Sequence, residues 1–448
     1  YDPAALVALH GRMGEIWQAR LGNLERAVSS YDEVLMHDPA NVAALGALEG
    51  LYAALDRWEK FLEVLDAQLS LATTREARID IFAKQALVYE QKFDDVDGAV
   101  GAFLNILSID GRDLEAITSL ERIFADQERF AELLETLERH VHALEGTGEK
   151  AEVLCRMAQV QVEQQDDAYG ALGTYRRVLQ LDPSHVDALA RSGALYETVE
   201  QPLEAVSAYE RLAEVVSDGA SRIRLYFRSG QLLLETVGDG GAARLRFERC
   251  LQLDPEHGES MAALERIHTE AGDWARALSM LQAQIDIARD LGTRSGLMVR
   301  MGRIHADELG ETSRAQQLFE EAAELDPANV DAASPLSEIY YAQQEWVRAR
   351  PLFELRLRGA EELSDDGRGA LYLKSGGVNE QLGFDVEAVR HYEHALDSSG
   401  SNLDALRGLA RLYSRLGRSD AAYQTYVELL AAHRSKLRPE EVVAARSE

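Results

Sequence analysis

The feature that most constrains this chain is a phrase that returns on a fixed step. LQLDP stands at 179–183 and again at 251–255, and the Asp-Pro pair recurs at Asp38-Pro39 and Asp326-Pro327. Asp110-Gly111 fills the same slot between Asp38-Pro39 and Asp182-Pro183, so the step is 72 residues throughout. Other columns keep that phase. An aromatic falls at Tyr31, Phe103, Tyr175, Phe247 and Phe319, and a small residue at Gly14, Ala86, Ala158, Gly230 and Gly302. A third column reads Trp58, Phe130, Pro202, Trp274 and Trp346. The last full unit slips by about one residue, to Tyr392 and the loop SSGSN (398–402). Columns in phase over most of a chain signal a supersecondary unit that buries its apolar face only against its neighbours.

Each unit carries four amphipathic patterns. Leu45, Leu48, Leu51, Tyr52 and Leu55 form an i, i+3, i+4, i+7 stripe, and three more stripes follow before the phrase returns. No stretch alternates with period two. The expected fold is all-α, about 24 helices paired as antiparallel hairpins. The phrase itself ends one hairpin and starts the next. Leu181 closes a helix, proline cannot continue it but is tolerated in the first turn of another, and Ser184 or Asn329 is placed to cap. Asp187 and Asp331 fall in that first turn, where the helix dipole favours negative charge. Pro351 should kink its helix or delay its start. Every second junction is about four residues longer (SLATTREAR, ALEGTGEKAE, VVSDGASR) and reads as a loop. It is no domain linker, because the phase continues across it. Residues 1–448 therefore read as one array, with units 38–109, 110–181, 182–253, 254–325 and 326–398 and partial units 1–37 and 399–448. Tyr1-Asp2-Pro3 reads as the end of an earlier repeat, and RPEEVVAARSE as a further repeat or a capping helix. The expectation is a fragment of a longer chain.

The half-unit resembles a tetratricopeptide repeat (TPR). From Val42 the hairpin carries Leu45, Leu48, Tyr52, Phe61 and Leu65. From Leu403 it carries Leu406, Leu409, Ala410, Tyr413, Ala422 and Tyr426, and the alternate type carries Gly302, Ala315, Phe319 and Pro327. The resemblance covers nearly the whole chain as tandem 34- and 38-residue hairpins. Glu49 and Glu121 depart from it where the family usually has glycine. It implies a right-handed α-solenoid, a superhelix of about 12 hairpins, that binds other proteins.

Composition narrows the function. The formal charge is −30, which disfavours a nucleic-acid footprint and docking on anionic lipid. Arginine outnumbers lysine heavily, which reads as genome composition, with a bacterial source expected. No apolar run reaches the ~18 residues of a membrane span. A cytoplasmic location is the working expectation, and self-association is left open. Cys155 and Cys250 form no CxxC and read as core residues. No phosphate-loop, dinucleotide, zinc-protease or hydrolase motif is present, so no catalytic residue and no cofactor is expected. Glu387, His391 and His394 share one helix face with metal-ligand spacing, but a solvated face beside core Tyr392 is the simpler reading. His140 and His142 diverge around their helix, and Cys155 with His140 lacks an orienting acid. Trp58, Trp274 and Trp346 begin second helices and read as packing.

One column could carry function: Arg12, Lys84, Arg156, Arg228 and Arg300 at the 72-residue step, continued by Lys374 after the slip. Each lies on the first helix of a hairpin, two residues before the small column. By resemblance, first helices line the binding groove of TPR proteins, and residues near this position clamp acidic chaperone C-termini. The paired asparagines of that clamp are absent here; the equivalent slots read Gly50, Arg122, Ala194 and Arg266. A looser role remains, a ladder holding an extended acidic peptide. The competing reading pairs each cation with an acid of the adjacent hairpin, such as Glu163, Glu235 or Asp307. The function expected is a non-catalytic scaffold for protein partners, with no metal. The alternative is a regulatory or substrate-recruiting arm of a larger enzyme or of an envelope, secretion or motility machine. An all-α toroidal enzyme needs a closed ring, and a helical-repeat RNA reader needs a basic groove that the net charge opposes.

Overall fold

In the computed structural model, described over residues 2–400 and 402–433, there are 24 α-helices and no strand. The chain divides into two compact units, 1–225 and 226–448, the boundary falling inside one helix. The first unit holds α1 (Pro3–Ala19), α2 (Leu24–His37), α3 (Val42–Ala54), α4 (Trp58–Leu71), α5 (Arg75–Val88), α6 (Val96–Ile109), α7 (Leu114–Asp126), α8 (Phe130–Ala143), α9 (Thr147–Gln165), α10 (Ala168–Leu181), α11 (Val186–Thr198) and α12 (Pro202–Val215). α13 (Gly219–Gln231) carries the boundary. The second holds α14 (Gly240–Leu253), α15 (Gly258–Glu270), α16 (Trp274–Ile287), α17 (Leu291–Arg303), α18 (Thr312–Leu325), α19 (Val330–Ala342), α20 (Trp346–Leu357), α21 (Asp365–Gln381), α22 (Asp385–Ser399), α23 (Leu403–Arg415) and α24 (Ser419–His433). Each unit is a row of antiparallel hairpins, the architecture of an all-α helical-repeat solenoid.

The small and aromatic columns meet inside hairpins. A Cβ added at Gly14 would lie 2.7 Å from the ring of Tyr31, one at Gly230 2.7 Å from Phe247, and one at Gly302 2.5 Å from Phe319. Ala86 and Ala158 hold the same place with no exposed surface. The aromatic ring therefore lies flat on the facing backbone, and the two helices close over it.

Two devices end the helices. All twelve hairpin turns pivot on a residue of positive φ. Six are glycines, Gly22, Gly238, Gly272, Gly310, Gly383 and Gly417, and the others are Asp56, Asp94, Glu128, Asp166, Glu200 and Gln344 at φ 52–61°. Between hairpins, the aspartate of the repeated phrase folds back on its own backbone. Asp182 Oδ1 accepts from Ser184 N at 2.9 Å, and Asp326 Oδ1 from Ala328 N at 3.0 Å.

Several expectations change. The lengthened junctions are not loops. Only residues 72–74, 144–146, 216–218 and 288–290 separate the helices there. The extra residues extend the following first helix: α9 runs for 19 residues, and α5 and α17 continue into π-helical turns at Tyr89–Phe93 and Ile304–Glu308. A wide bond closes each, Asp95 N to Tyr89 O at 2.9 Å and Glu311 N to His305 O at 2.7 Å. Proline of the repeated phrase sits in the turn, so His185 and not Ser184 caps α11, its Nδ1 accepting from Ala188 N at 3.2 Å. Asn329 caps α19 as expected. Asp2-Pro3 starts a helix instead of ending one: Asp2 accepts from Ala4 N and Pro3 takes the first position. α20 continues through exposed Pro351, whose missing donor faces solvent, and α19 continues through Pro335. Residues 438–448, which the sequence reads as a further helix, lie outside the described residues.

Replacing Gly302 by valine should cost about 1–3 kcal/mol by driving side-chain atoms into Phe319. Glu128→Gly should raise stability by up to about 1 kcal/mol, because the left-handed strain is relieved. Chemical denaturation of the two variants checks both.

Polar rungs and recesses on the first helices

The basic column lies on α1, α5, α9, α13, α17 and α21, and four of its members, Lys84, Arg156, Arg300 and Lys374, point at the hairpin before them. Lys84 Nζ is 2.7 Å from Glu49 of α3 and 2.9 Å from Asp80. Arg156 reaches Glu121 of α7 at 3.1 Å, Arg300 is bonded to Glu265 of α15, and Lys374 Nζ is 2.5 Å from Glu338 of α19. Arg228 lies on α13 at the corresponding position. Arg12, exposed on α1, has no ion pair among the described residues. The adjacent-hairpin pairing is therefore real for Lys84, Arg156, Arg300 and Lys374, and its acids are Glu49, Glu121, Glu265 and Glu338. Glu163, named as a partner from the sequence, accepts instead from Gln159 at 2.8 Å.

Three of these acids stand where the family usually has glycine, and Glu121 and Glu265 are only 6% and 4% exposed. A buried carboxylate needs partners; for Glu49 and Glu121 a second one comes from 19 residues along, on the second helix of the same hairpin, whereas Glu265 accepts from Thr269 at 3.3 Å. Gln68 Nε2 donates to Glu49 at 2.8 Å, and His140 Nδ1 lies 2.5 Å from Glu121. Where the acid is missing, the partner is missing too. Hairpin α11–α12 has Gly193 and Leu212, and Tyr209 packs its ring where a Cβ on Gly193 would lie, 2.6 Å away. In α19–α20 the acid moves one residue, to Glu338, and Arg356 takes the second-helix position. It donates to Ser337 at 2.7 Å and to Glu338 at 2.8 Å. Burial raises the Glu338 carboxyl, but its bonds to Arg356 and Lys374 outweigh burial and leave it below the usual range. Burial lowers the Lys84 ammonium, and Glu49 and Asp80 more than reverse it.

Between these rungs the first helices of the first unit leave recesses. One of about 740 Å³ lies among α7, α8 and α9, with Phe130, Leu133, Leu137 and Val160 as its apolar lining and Arg156, Gln159 and Glu163 among its polar groups. Recesses of about 320 Å³ and 240 Å³ flank it, along α5–α7 and α9–α11. Other cations here are also paired: Arg122 with Glu90, and Arg191 with Asp187 at 2.8 Å.

The remaining candidates resolve as structure. Burial, then nearby Asp187, pushes the Cys155 thiol up to about 11, which keeps it protonated and a poor nucleophile. Cys250 is buried. His391 is turned toward Asn379, 3.3 Å away, and Tyr372 packs against both His391 and His394 with centroids 5.8 and 5.0 Å from theirs. Among the described residues no three His, Cys, Asp or Glu side chains are grouped to hold a metal. Burial, and then His394, lowers His391. Trp58, Trp274 and Trp346 each open a second helix and pack against apolar neighbours. Among the described residues, no helix is long and apolar enough to cross a membrane.

Stacked hairpins with paired rungs and open recesses define an all-α helical-repeat protein. Tetratricopeptide-repeat models match residues 260–295, 308–360 and 386–444. It is similar to tetratricopeptide repeat protein 37 of Xenopus laevis, at 28% identity over 46% of this chain and 13% of that one. It is also similar to the human protein O-mannosyl-transferase TMTC3, at 22% identity over 48% of this chain and 23% of that one. The chain thus spans less than a quarter of the length of these relatives. Among solved structures, it is similar to YrrB, described as a TPR protein with an unusual peptide-binding site. That match has 19% identity and a TM-score of 0.30, covering 43% of this chain and 97% of that one.

Glu121→Ala should cost about 3 kcal/mol, since it strands His140 in the interior. The double variant Glu121→Leu with His140→Leu should cost clearly less than the two single variants summed, which a thermodynamic cycle by urea denaturation reads. Glu338 titrates lower in the folded chain than unfolded, so its contribution is present above about pH 5 and fades as pH falls through the carboxylate range. Glu338→Gln should therefore flatten the fall in stability between about pH 5 and 3.

Proposed function

We propose that the first-helix face of the first unit receives an extended segment of a partner protein, anchored by an apolar side chain in the α7–α9 recess. The observation that carries this reading is the recess itself: an apolar lining beside Gln159, Glu163 and Arg156, continued by smaller recesses on both sides. The amides and charges can meet a bound backbone, while the apolar lining supplies most of the burial energy. The basic column contributes to this face through Lys84 and Arg156 but does not make it an acid-binding ladder on its own. Each of these two cations already has a carboxylate, so an acidic peptide gains only the difference between two ion pairs. Weak contacts repeated along such a face add up when one partner engages several of them.

A second reading places this chain as the recruiting or regulatory arm of a larger enzyme or of an envelope, secretion or motility machine. The great length of its relatives supports it, and one of them is named a transferase. Both readings use the same face. Neither assigns chemistry to the rungs.

Selection of displayed random peptides on the purified chain should enrich sequences with a recurrent apolar anchor. Val160→Asp, at a half-buried position, should weaken the selected peptides at least about tenfold, and Arg156→Gln should weaken them less. Peptides that bind Val160→Asp unchanged, with helicity intact by circular dichroism, would falsify this face as the binding site.

A further inference from the structure

A second column of the repeat points to a site away from that face. On the second helix of each long hairpin, the ninth residue faces the aromatic or His of the next first helix. Tyr52 donates its hydroxyl to Asp32 at 3.3 Å, Tyr340 to Glu320 at 2.7 Å, and Tyr413 to Glu393. Burial, then the neighbouring carboxylate, pushes the Tyr52 hydroxyl up to about 12, as expected of a phenol donating to an anion. Without a hydroxyl the facing residue varies: Phe124 of α7 corresponds to Leu104 of α6, and His268 of α15 to Glu248 of α14. One position breaks the rule. Tyr196 of α11 keeps its hydroxyl, but the corresponding residue of α10 is Arg176. The Tyr196 hydroxyl has no hydrogen bond and Arg176 no ion pair among the described residues. Both line a recess of about 290 Å³ bounded by α10, α11 and α12.

The recess exists because the side chains that fill it elsewhere are smaller here. Ser192, 3% exposed, replaces the leucine found at Leu48, Leu120, Leu264, Leu336 and Leu409. Ser207 and Arg211 of α12 complete the wall, and Arg211 donates one guanidinium bond to the carbonyl of Pro183 at 3.0 Å. Glu204 also lines it, unpaired, and sets the polarity of one side.

We propose that this recess binds a carboxylate supplied from outside the chain, seated between the Tyr196 hydroxyl and the Arg176 guanidinium. The repeat gives the geometry: at three other hairpins a carboxylate occupies the matching place beside the tyrosine, and here a cation stands in its stead, so the anion comes from a ligand. Arg176 and Tyr196 offer the charge-assisted donors that a carboxylate accepts best. Glu204 opposes a dense anion such as phosphate more than it opposes a single carboxylate. The carboxylate is either that of a free small acid or an acidic side chain of a partner segment. The site uses no residue of the α7–α9 recess, so it stands or falls apart from the first-helix face.

The test titrates the purified chain with glutarate, followed by ligand-observed saturation-transfer spectroscopy, and with a fluorescein-labelled Ser-Glu-Ser-Glu-Ser peptide, followed by anisotropy. Glutaramide is the neutral control. Arg176→Glu gives Tyr196 the internal acceptor that its counterparts have, so it should hold or raise Tm while weakening the bound acid at least about tenfold. Tyr196→Phe should weaken it several-fold. Glutarate binding alone supports a free acid as the ligand, and peptide binding alone supports a partner side chain. Equal binding of both acids by wild type and Arg176→Glu overturns the proposal, as does glutaramide binding as tightly as glutarate. No binding of either acid by the wild-type chain overturns it as well.

Discussion

The rest of the structure depends on an aromatic ring lying against a residue with no side chain, or only a methyl. At Gly14, Gly230 and Gly302 the ring occupies the volume a Cβ would take. That contact fixes how closely two antiparallel helices approach. Because it recurs every 72 residues, it also fixes the spacing at which the next hairpin finds its partner. A repeat protein has no central core to absorb an error. Each interface is buried only by its neighbours, so a misfit at one ring is felt at one junction and transmitted along the row only through the hairpins that share it. The repeated phrase serves the same end. Asp182 and Asp326 bond their own turns, and the proline beside each stops the helix from running on.

On this apolar frame the chain lays a second, polar code. Burying Glu121 and Glu265 is costly unless each is paired, and each takes one partner from its own hairpin, His140 or Thr269, and one from the next, Arg156 or Arg300. The code has a register function, since a carboxylate with two required partners tolerates few alternative stackings. It is also dispensable. Hairpin α11–α12 exchanges the glutamate for Gly193 and its partner for Leu212 and fills the space with Tyr209, so an apolar solution to the same junction exists within this molecule.

Much of the fold was legible. The 72-residue phase, the number of helices and the hairpin pairing follow from Leu45, Leu48, Leu51 and Tyr52 and their equivalents, because amphipathic period is a local signal. The ends of the elements were less so. Thr147 to Glu149 look like loop residues, and yet they open α9. The composition of a helix's first turn resembles that of a loop, and only the downstream wide turn reveals that the helix has absorbed the insertion. His185 as a cap was missed because histidine rarely serves there. In the basic column, the positions were readable and the partners were not. Glu163 lies near Arg156 along the sequence, whereas Glu121 is 35 residues away and reaches it only through the stacking of hairpins. One signal was available: Glu49, Glu121 and Gly193 vary together with Gln68, His140 and Leu212.

That signal suggests how to read such molecules. Within a single chain, equivalent hairpins act as internal controls, each solving the same packing problem under slightly different side chains. A substitution accompanied by its complement, such as Phe124 with Leu104, is a repacked junction and carries no message about ligands. A substitution without its complement leaves a group whose requirement is unmet. Tyr196 beside Arg176 is of this second kind, for it keeps a donor, loses the acceptor and gains a cation, while Ser192 opens the space between them. Unpaired polar groups lining a recess cost stability wherever water cannot fully serve them, and the α11–α12 hairpin could have avoided that cost as α6 and α7 do, with two apolar residues. The retained hydroxyl and the added cation are the two groups that the proposed carboxylate would use.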